Sequence, residues 1–398
     1  MRHSRMFKSF AAICLAALLC ATHSAAAQSS PAGAAQQFLY VNANDFFDVT
    51  NRVEGFRVSA NGTLTRLTGS PFFTGGKTGT AGGAYSGRTL AVTPDGQFLY
   101  AGNSGTGDIS VFTVDQATGE LTVSPTRYPV FPHAPSQVTA TMAMAPNGKF
   151  LFAAAGGFFD VRTFAITPTG ALLYAAVPLA PISGQADDMV VTRDNRYLLV
   201  TDQAKNIRVF SISSKGALTE IAGSPFPTSG QGSGMTFNCS GERLYLGDAQ
   251  QQGTRVEAFT IAKNGTLTPL PGSPFDEILG NNSNTVLLSP DGKFLYVGNQ
   301  YGSEVSSLSV AEDGSLTEVP GSPFFDDNLG DQPAQMAMSR SGGLLFVAGT
   351  PYGSFPAVDV YKTSADGTLE TVNGSPFLMG LNADPFTVLT LPAPTCTR

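Results

Sequence analysis

The chain contains no tryptophan. Repeats built on a Trp-Asp dipeptide or on tryptophan docking motifs are therefore excluded. Of its three histidines only His133 lies beyond residue 23. A metal centre held by several histidines is excluded with them, and no metal site is expected. Charge is scarce, at 13% of residues, and Lys and Arg nowhere cluster. Nucleic acid is not an expected partner, because phosphate contacts need grouped basic side chains. The net charge of −7 instead favours repulsion of anionic membranes and phosphorylated small molecules. There is no phosphate-cradling glycine-rich loop followed by Lys, of the Gly-x4-Gly-Lys-Ser/Thr kind, and no Gly-x-Ser-x-Gly nucleophile elbow, and no cofactor is expected. The Asp-rich stretch at residues 325–331 lacks calcium-loop spacing and reads as a charged surface loop. Beyond the N-terminus no run is long and apolar enough to span a bilayer.

The N-terminus itself has the layout of an export signal. Arg2, Arg5 and Lys8 precede an apolar run at residues 10–21, and Ala25-Ala26-Ala27 offers a cleavage site before Gln28. The expectation is a signal peptide at residues 1–27 and a secreted or periplasmic domain at residues 28–398. Losing the three basic residues of the leader would bring the net charge to about −10. A monomer is expected.

What the chain has in abundance is repetition. A hairpin with a Pro-Asp-Gly corner appears as Leu90-Ala91-Val92-Thr93-Pro94-Asp95-Gly96 followed by Phe98-Leu99-Tyr100. It returns as Leu287-Leu288-Ser289-Pro290-Asp291-Gly292 followed by Phe294-Leu295-Tyr296. Alternating strands follow at residues 53–58, 109–114, 161–166, 207–212, 256–261, 305–310 and 358–363. A Gly-x-Leu turn then opens an outer strand at Gly62, Gly119, Gly170, Gly216, Gly265, Gly314 and Gly367, spaced 57, 51, 46, 49, 49 and 53 residues apart. Seven units of about 50 residues, four antiparallel strands each, describe an all-β, seven-bladed propeller. Blade one begins at its second strand, Phe38-Leu39-Tyr40-Val41, and the C-terminal segment at residues 386–391 is left over to join it and close the ring. Closure removes two exposed sheet edges. Five blades carry Gly-Ser-Pro-Phe, starting at Gly69, Gly223, Gly272, Gly321 and Gly374. The proline suits an outermost strand and the phenylalanine suits packing between blades, so the motif reads as structural.

These units resemble the lactonase-type seven-bladed propellers, the superfamily of 6-phosphogluconolactonase and carboxymuconate cyclase, and the YVTN-repeat propellers. Phe294-Leu295-Tyr296-Val297-Gly298-Asn299 and Phe38-Leu39-Tyr40-Val41-Asn42 carry the resemblance, which covers residues 36–392. It implies enzymatic groups at three places: a His-rich loop before the third blade, an Arg-His pair before the fifth, and a Glu in the strand after that. Here the first is partly kept as Pro132-His133-Ala134. Gly232-Ser233-Gly234-Met235 replaces the basic pair, and Ala249 stands where the acid is expected. Lactone hydrolysis needs a base and a cation for the developing oxyanion, and two of the three places do not supply them.

Propellers bind ligands at the channel mouth, on the loops entering the innermost strands. The residues opening those strands, with the ones just before them, make the candidates Arg88, Asp187, Asp188, Asn284 and Gln335, joined by His133 and Gln137 from the irregular loop between blades two and three. Two functions follow. The first is non-catalytic binding of a small molecule, glycan or protein at the channel mouth. The second is a hydrolase or isomerase acting on a lactone or sugar acid, with His133 as candidate catalyst beside Arg88 and the two aspartates. A phosphorylated substrate fits poorly with an exported, acidic chain. Finally, Cys239 and Cys396 lie where both reach the face opposite the mouth. In an oxidising compartment they can join and staple the tail across the channel floor; the alternative is a loose tail with two thiols.

Overall fold

A computed structural model describes residues 36–45, 50–78, 87–131, 140–155, 157–249, 254–278, 280–325, 331–351, 356–379 and 383–397. The leader, His133 and Gln137 lie outside the described residues. Those described form seven antiparallel sheets, one per repeat, with no helix among them, and thus none long and apolar enough to cross a membrane. The chain is a seven-bladed β-propeller. The innermost strand of blade one is Ala383–Leu391, which pairs antiparallel with Gln37–Asp45 and sets Leu389 opposite Tyr40. The last strand of the chain thus completes the first blade.

In six blades the outer strand is split into two short segments, both paired to the third strand, as Leu64–Arg66 and Phe72–Lys77 are to Thr50–Val58. Only blade two has it whole, as Leu121–Pro129. Gly-Ser-Pro-Phe occupies the gap in five of the split strands. There the serine hydroxyl accepts a hydrogen bond from the third-strand N–H that the gap leaves open: Ser70 from Gly55 (3.0 Å), Ser224 from Val209 (3.1 Å), Ser273 from Ala258 (2.9 Å), Ser322 from Ser307 (3.1 Å) and Ser375 from Val360 (2.9 Å). A buried ladder donor without a partner would be costly, and the serine removes that cost. The phenylalanine packs into the layer shared with the neighbouring blade, as Phe324 of blade six does with Met336 and Leu345 of blade seven.

The core lies between blades rather than within one. Each second strand is covered on both faces, so Phe98–Asn103 is buried almost throughout and reads as an apolar run instead of an alternation. Its tyrosine reaches the next blade: the Tyr40 hydroxyl donates to the Gly119 carbonyl (2.7 Å), Tyr100 to Gly170 (3.0 Å) and Tyr245 to Gly314 (3.2 Å). The glycine of Gly-x-Leu is required on two grounds, shown by Gly170. Its φ is +77°, and a Cβ there would collide with the Phe98 ring of the preceding blade. The turn and the large side chain that opens the preceding blade's second strand are therefore two halves of one contact.

At the face opposite the mouth, Cys239 in blade five is bonded to Cys396 in the C-terminal tail. The tail leaves blade one, and Thr397 then donates its N–H to the Pro290 carbonyl of blade six (2.9 Å). Residues 392–397 therefore run across the floor of the ring, tied at blades five and six.

Candidate functional site

The inner strands enter the mouth through a shared irregularity. In blades one, four, five, six and seven the ladder to the second strand slips by one residue, leaving Phe386, Asp187, Ser233, Asn284 and Ala334 as the extra residues. Such β-bulges re-aim side chains at sheet ends. Blades two and three show no such slip among the described pairs. The bulge places the polar residues of blades four to six side by side around the mouth.

Arg88 departs from this ring. Its backbone carbonyl accepts from the Met142 N–H of blade three (2.8 Å), while its side chain passes blade three altogether. Nε donates to Asp188 Oδ1 (2.8 Å), and Nη2 donates to Asp188 Oδ2 (3.2 Å) and to the Met235 carbonyl of blade five (2.7 Å). Arg88 is one-third exposed and Asp188 fully buried. Asp188 also accepts from the N–H groups of Met189 (2.9 Å) and Met235 (2.8 Å). A buried carboxylate is tolerated only when paired and hydrogen-bonded to this degree. Removal from water raises the Asp188 carboxyl above its ordinary value, and the Arg88 charge and these donors oppose that pull. Nη1 of Arg88 makes no hydrogen bond among the described residues, so two N–H groups remain to donate.

Asp187, beside Asp188 in sequence, is 9% exposed. Gln231 of blade five donates to its Oδ2 (3.1 Å). Burial pushes its carboxyl up to about 7; Gln231 works against the rise, and the charges of Asp202 and Asp188 add to it. A carboxyl that titrates near neutrality can hold or release a proton at working pH.

Of the candidates, the structure brings Arg88 and Asp188 into direct contact, with Asp187 next to Asp188 in sequence and its carboxyl bonded to Gln231. Asn284 and Gln335 do not join them. Asn284 is spent on the blade junction, its Nδ2 donating to the Pro333 carbonyl of blade seven (3.2 Å), and Gln335 is buried on the inner strand of blade seven. Gln231 was not legible as a site residue, because its link to Asp187 depends on how blades four and five are juxtaposed. The only signal for it was a polar residue two positions before the Ser233 bulge.

The two places where the sequence departs from the enzymatic pattern have spatial counterparts. Blade five cannot hold large basic side chains at Gly234, since a Cβ there would sit 2.9 Å from the Thr285 Cα of blade six. Yet the Arg88 guanidinium arrives at that same strand, on the carbonyl of Met235. Ala249, where the acid is expected, pairs with Gln231, and Gln231 bonds Asp187. A cation from blade two and an acid from blade four thus stand next to the positions that lack them. Among the described residues no group of three or more His, Cys, Asp or Glu side chains could hold a metal ion.

The seven-bladed fold is that of a lactonase-type propeller. The chain belongs to the lactonase family of 7-bladed β-propellers, whose model it matches over residues 33–177 and 188–375. It is similar to the structure of a candidate 6-phosphogluconolactonase from Bacteroides uniformis ATCC 8492, with 21% identity and a TM-score of 0.70, covering 90% of this chain and 100% of that one. It is likewise similar to the periplasmic gluconolactonase PpgL of Pseudomonas aeruginosa, with 19% identity and a TM-score of 0.68, covering 88% and 100%. At these identities the likeness shows the fold. No curated protein sequence matches the chain.

Proposed function

We propose that the protein is a lactonase of the 6-phosphogluconolactonase type, opening the ring ester of a sugar-acid lactone at the channel mouth. Family membership and the site favour this over non-catalytic binding. The observation that carries it is the arrival of Arg88 at blade five, paired with Asp188, while Asp187, next to Asp188 in sequence, bonds Gln231 of the same blade; together they bring a cation and a proton-transfer group to a blade whose local sequence has neither. Asp187, as carboxylate, takes a proton from a water molecule while the water oxygen bonds to the lactone carbonyl carbon. The carbonyl oxygen gains the negative charge and is met by the Nη1 donors of Arg88. Collapse breaks the bond from the acyl carbon to the ring oxygen, which leaves with the proton held by Asp187. One water is consumed and an open-chain hydroxy acid is formed. Asp188 positions Arg88. The proposal also includes His133 as a further group at the mouth, export through residues 1–27, and action as a monomer without cofactor outside the cytoplasm.

The test is hydrolysis of glucono-1,5-lactone by the purified chain, measured above the spontaneous rate. The catalysed rate is expected to rise as pH passes through about 7, as Asp187 ionises. Asp187→Asn should lower it by about 10²-fold or more, and Arg88→Ala by about 10²–10³-fold, with folding of both variants confirmed by circular dichroism. An unchanged rate in both variants removes this site, and no acceleration over buffer removes the hydrolase.

A further inference from the structure

We infer that the floor carries a second binding site, a cleft between blades six and seven that takes a neutral polyhydroxy molecule of monosaccharide size. The inference is independent of the lactonase reading, which concerns the opposite end of the ring. The cleft has a volume of about 250 Å³, room for roughly eight water molecules at about 30 Å³ each, or for one sugar ring. It lies between Asp291, Lys293 and Tyr296 of blade six and Ser341 and Ser364 of blade seven, and Thr397 of the tail forms one side. The tail is fixed there by the Cys239–Cys396 bond and by the Thr397 N–H on the Pro290 carbonyl (2.9 Å).

The base of the cleft holds a hydroxyl that the fold does not use. In blades one, two and five the second-strand tyrosine faces a third-strand residue with no hydroxyl, namely Gly55, Val111 or Ala258. There the phenol itself donates to the glycine carbonyl of the next blade. In blade three Phe152 faces Thr163, and the Thr163 hydroxyl makes that bond instead, to Gly216 (2.9 Å). Blade six has both groups. Ser307 faces Tyr296 and takes the Gly367 carbonyl (2.7 Å). The Tyr296 hydroxyl is left with no hydrogen bond among the described residues, on a side chain only 1% exposed that lines the cleft. Burying a phenol without a partner is costly, and phenylalanine would serve the packing as it does at Phe152. Burial, and then the charge of Asp291, hold the phenol well above its ordinary value, so it stays protonated and can donate.

The rest of the cleft selects the class of ligand. Asp291 and Lys293 face each other at 3.5 Å, so no unpaired charge is offered to an ion. The Ser364 hydroxyl makes no hydrogen bond among the described residues, and those of Ser341 and Thr397 make only long ones of 3.3 or 3.4 Å. Hydroxyl groups that both donate and accept suit a ligand whose own hydroxyls do the same. The Phe294 ring supplies an apolar wall, which suits the carbon face of a sugar ring.

The test is a ligand-observed NMR titration of the full chain with methyl α-D-glucopyranoside, which has no ester for the mouth to open. Saturable binding in the millimolar range is expected, and it should be unaltered in Arg88→Ala at the mouth. Tyr296→Phe should weaken it about three- to tenfold, the worth of one hydrogen bond, while melting no lower than the parent. Ser364→Trp, at an exposed rim position, should fill the cleft and abolish binding. Binding that is absent, or that Tyr296→Phe and Ser364→Trp leave unchanged, overturns the inference. A lower melting midpoint for Tyr296→Phe would show that the phenol serves the fold, and overturns it too.

Discussion

The two ends of the propeller are built under opposite rules. At the floor every blade meets its neighbour in the same way. An aromatic or long side chain opens the second strand and rests on a glycine of the next blade, as Phe38 does on Gly119, Phe98 on Gly170 and Phe294 on Gly367. The geometry leaves one solution, so the sequence repeats. At the mouth the bulge backbone recurs in five blades while the bulged residue changes from phenylalanine to aspartate, serine, asparagine and alanine. Packing tolerates any of these, so chemistry is free to choose. Repetition marks where the fold is held, and variation on a constant backbone marks where the candidate site lies.

The sharpest way to break the floor is to remove the strand that closes it. Truncation after Pro376 deletes Ala383–Leu391 and exposes the inner edge of Gln37–Asp45, which it covers. It also removes Cys396 and with it the bond to Cys239. The expected product is insoluble or protease-sensitive, read by limited proteolysis and thermal melting against the full chain. A soluble truncate with a cooperative melt would contradict closure by the last strand. A smaller break targets one contact. Gly170→Val forces a β-branched residue to φ +77° and drives its Cβ into the Phe98 ring. The expected loss is about 3–4 kcal/mol, measured by denaturant unfolding, with lactone hydrolysis unchanged in the folded fraction because the mouth is at the other end.

This division also explains what was legible in the sequence. Blade number, strand order, closure and the structural role of Gly-Ser-Pro-Phe all follow from contacts that recur, so the repeat itself displays them. The serine hydroxyl that fills the ladder gap was not visible, because it needs the split of the outer strand to be known. At the mouth the sequence alignment singled out Arg88, Asp187 and Asp188 as residues of one ring, but not that Arg88 bypasses blade three to land on blade five. A chain scanned strand by strand shows Gly232-Ser233-Gly234-Met235 without a basic residue. Only the folded ring shows the guanidinium bonded to that strand from 147 positions away. Likewise Ala249 reads as a lost acid until Gln231 is seen to join it to Asp187. Convergent sites of this kind are long-range by construction, and periodicity carries no information about them.

The mouth can be sharpened by a change that costs activity yet raises stability. Asp187 has its carboxyl pushed from 3.8 up to about 7 by burial. The folded protein therefore holds this proton over a pH range where the unfolded chain has released it. Wherever the native state binds more protons than the unfolded state, stability falls as pH rises. This contribution is whole below about pH 4 and lost progressively up to about pH 7. Above that, the native state carries an ionised carboxylate in a setting that disfavours it. Asp187→Asn keeps the shape and a hydrogen-bonding oxygen for Gln231 and removes the charge. At pH 8 it is expected to stabilise the protein by about 2 kcal/mol or more, visible as a higher midpoint in urea, and the gain should shrink toward pH 5. The same variant should be the slow one in lactone hydrolysis. Floor substitutions such as Gly170→Val lose stability and keep the rate per folded molecule, whereas this one gains stability and loses the rate. An Asp187→Asn protein less stable than the parent at pH 8 would show that the carboxylate is held there by the fold, and the proton-transfer role assigned to it would fall.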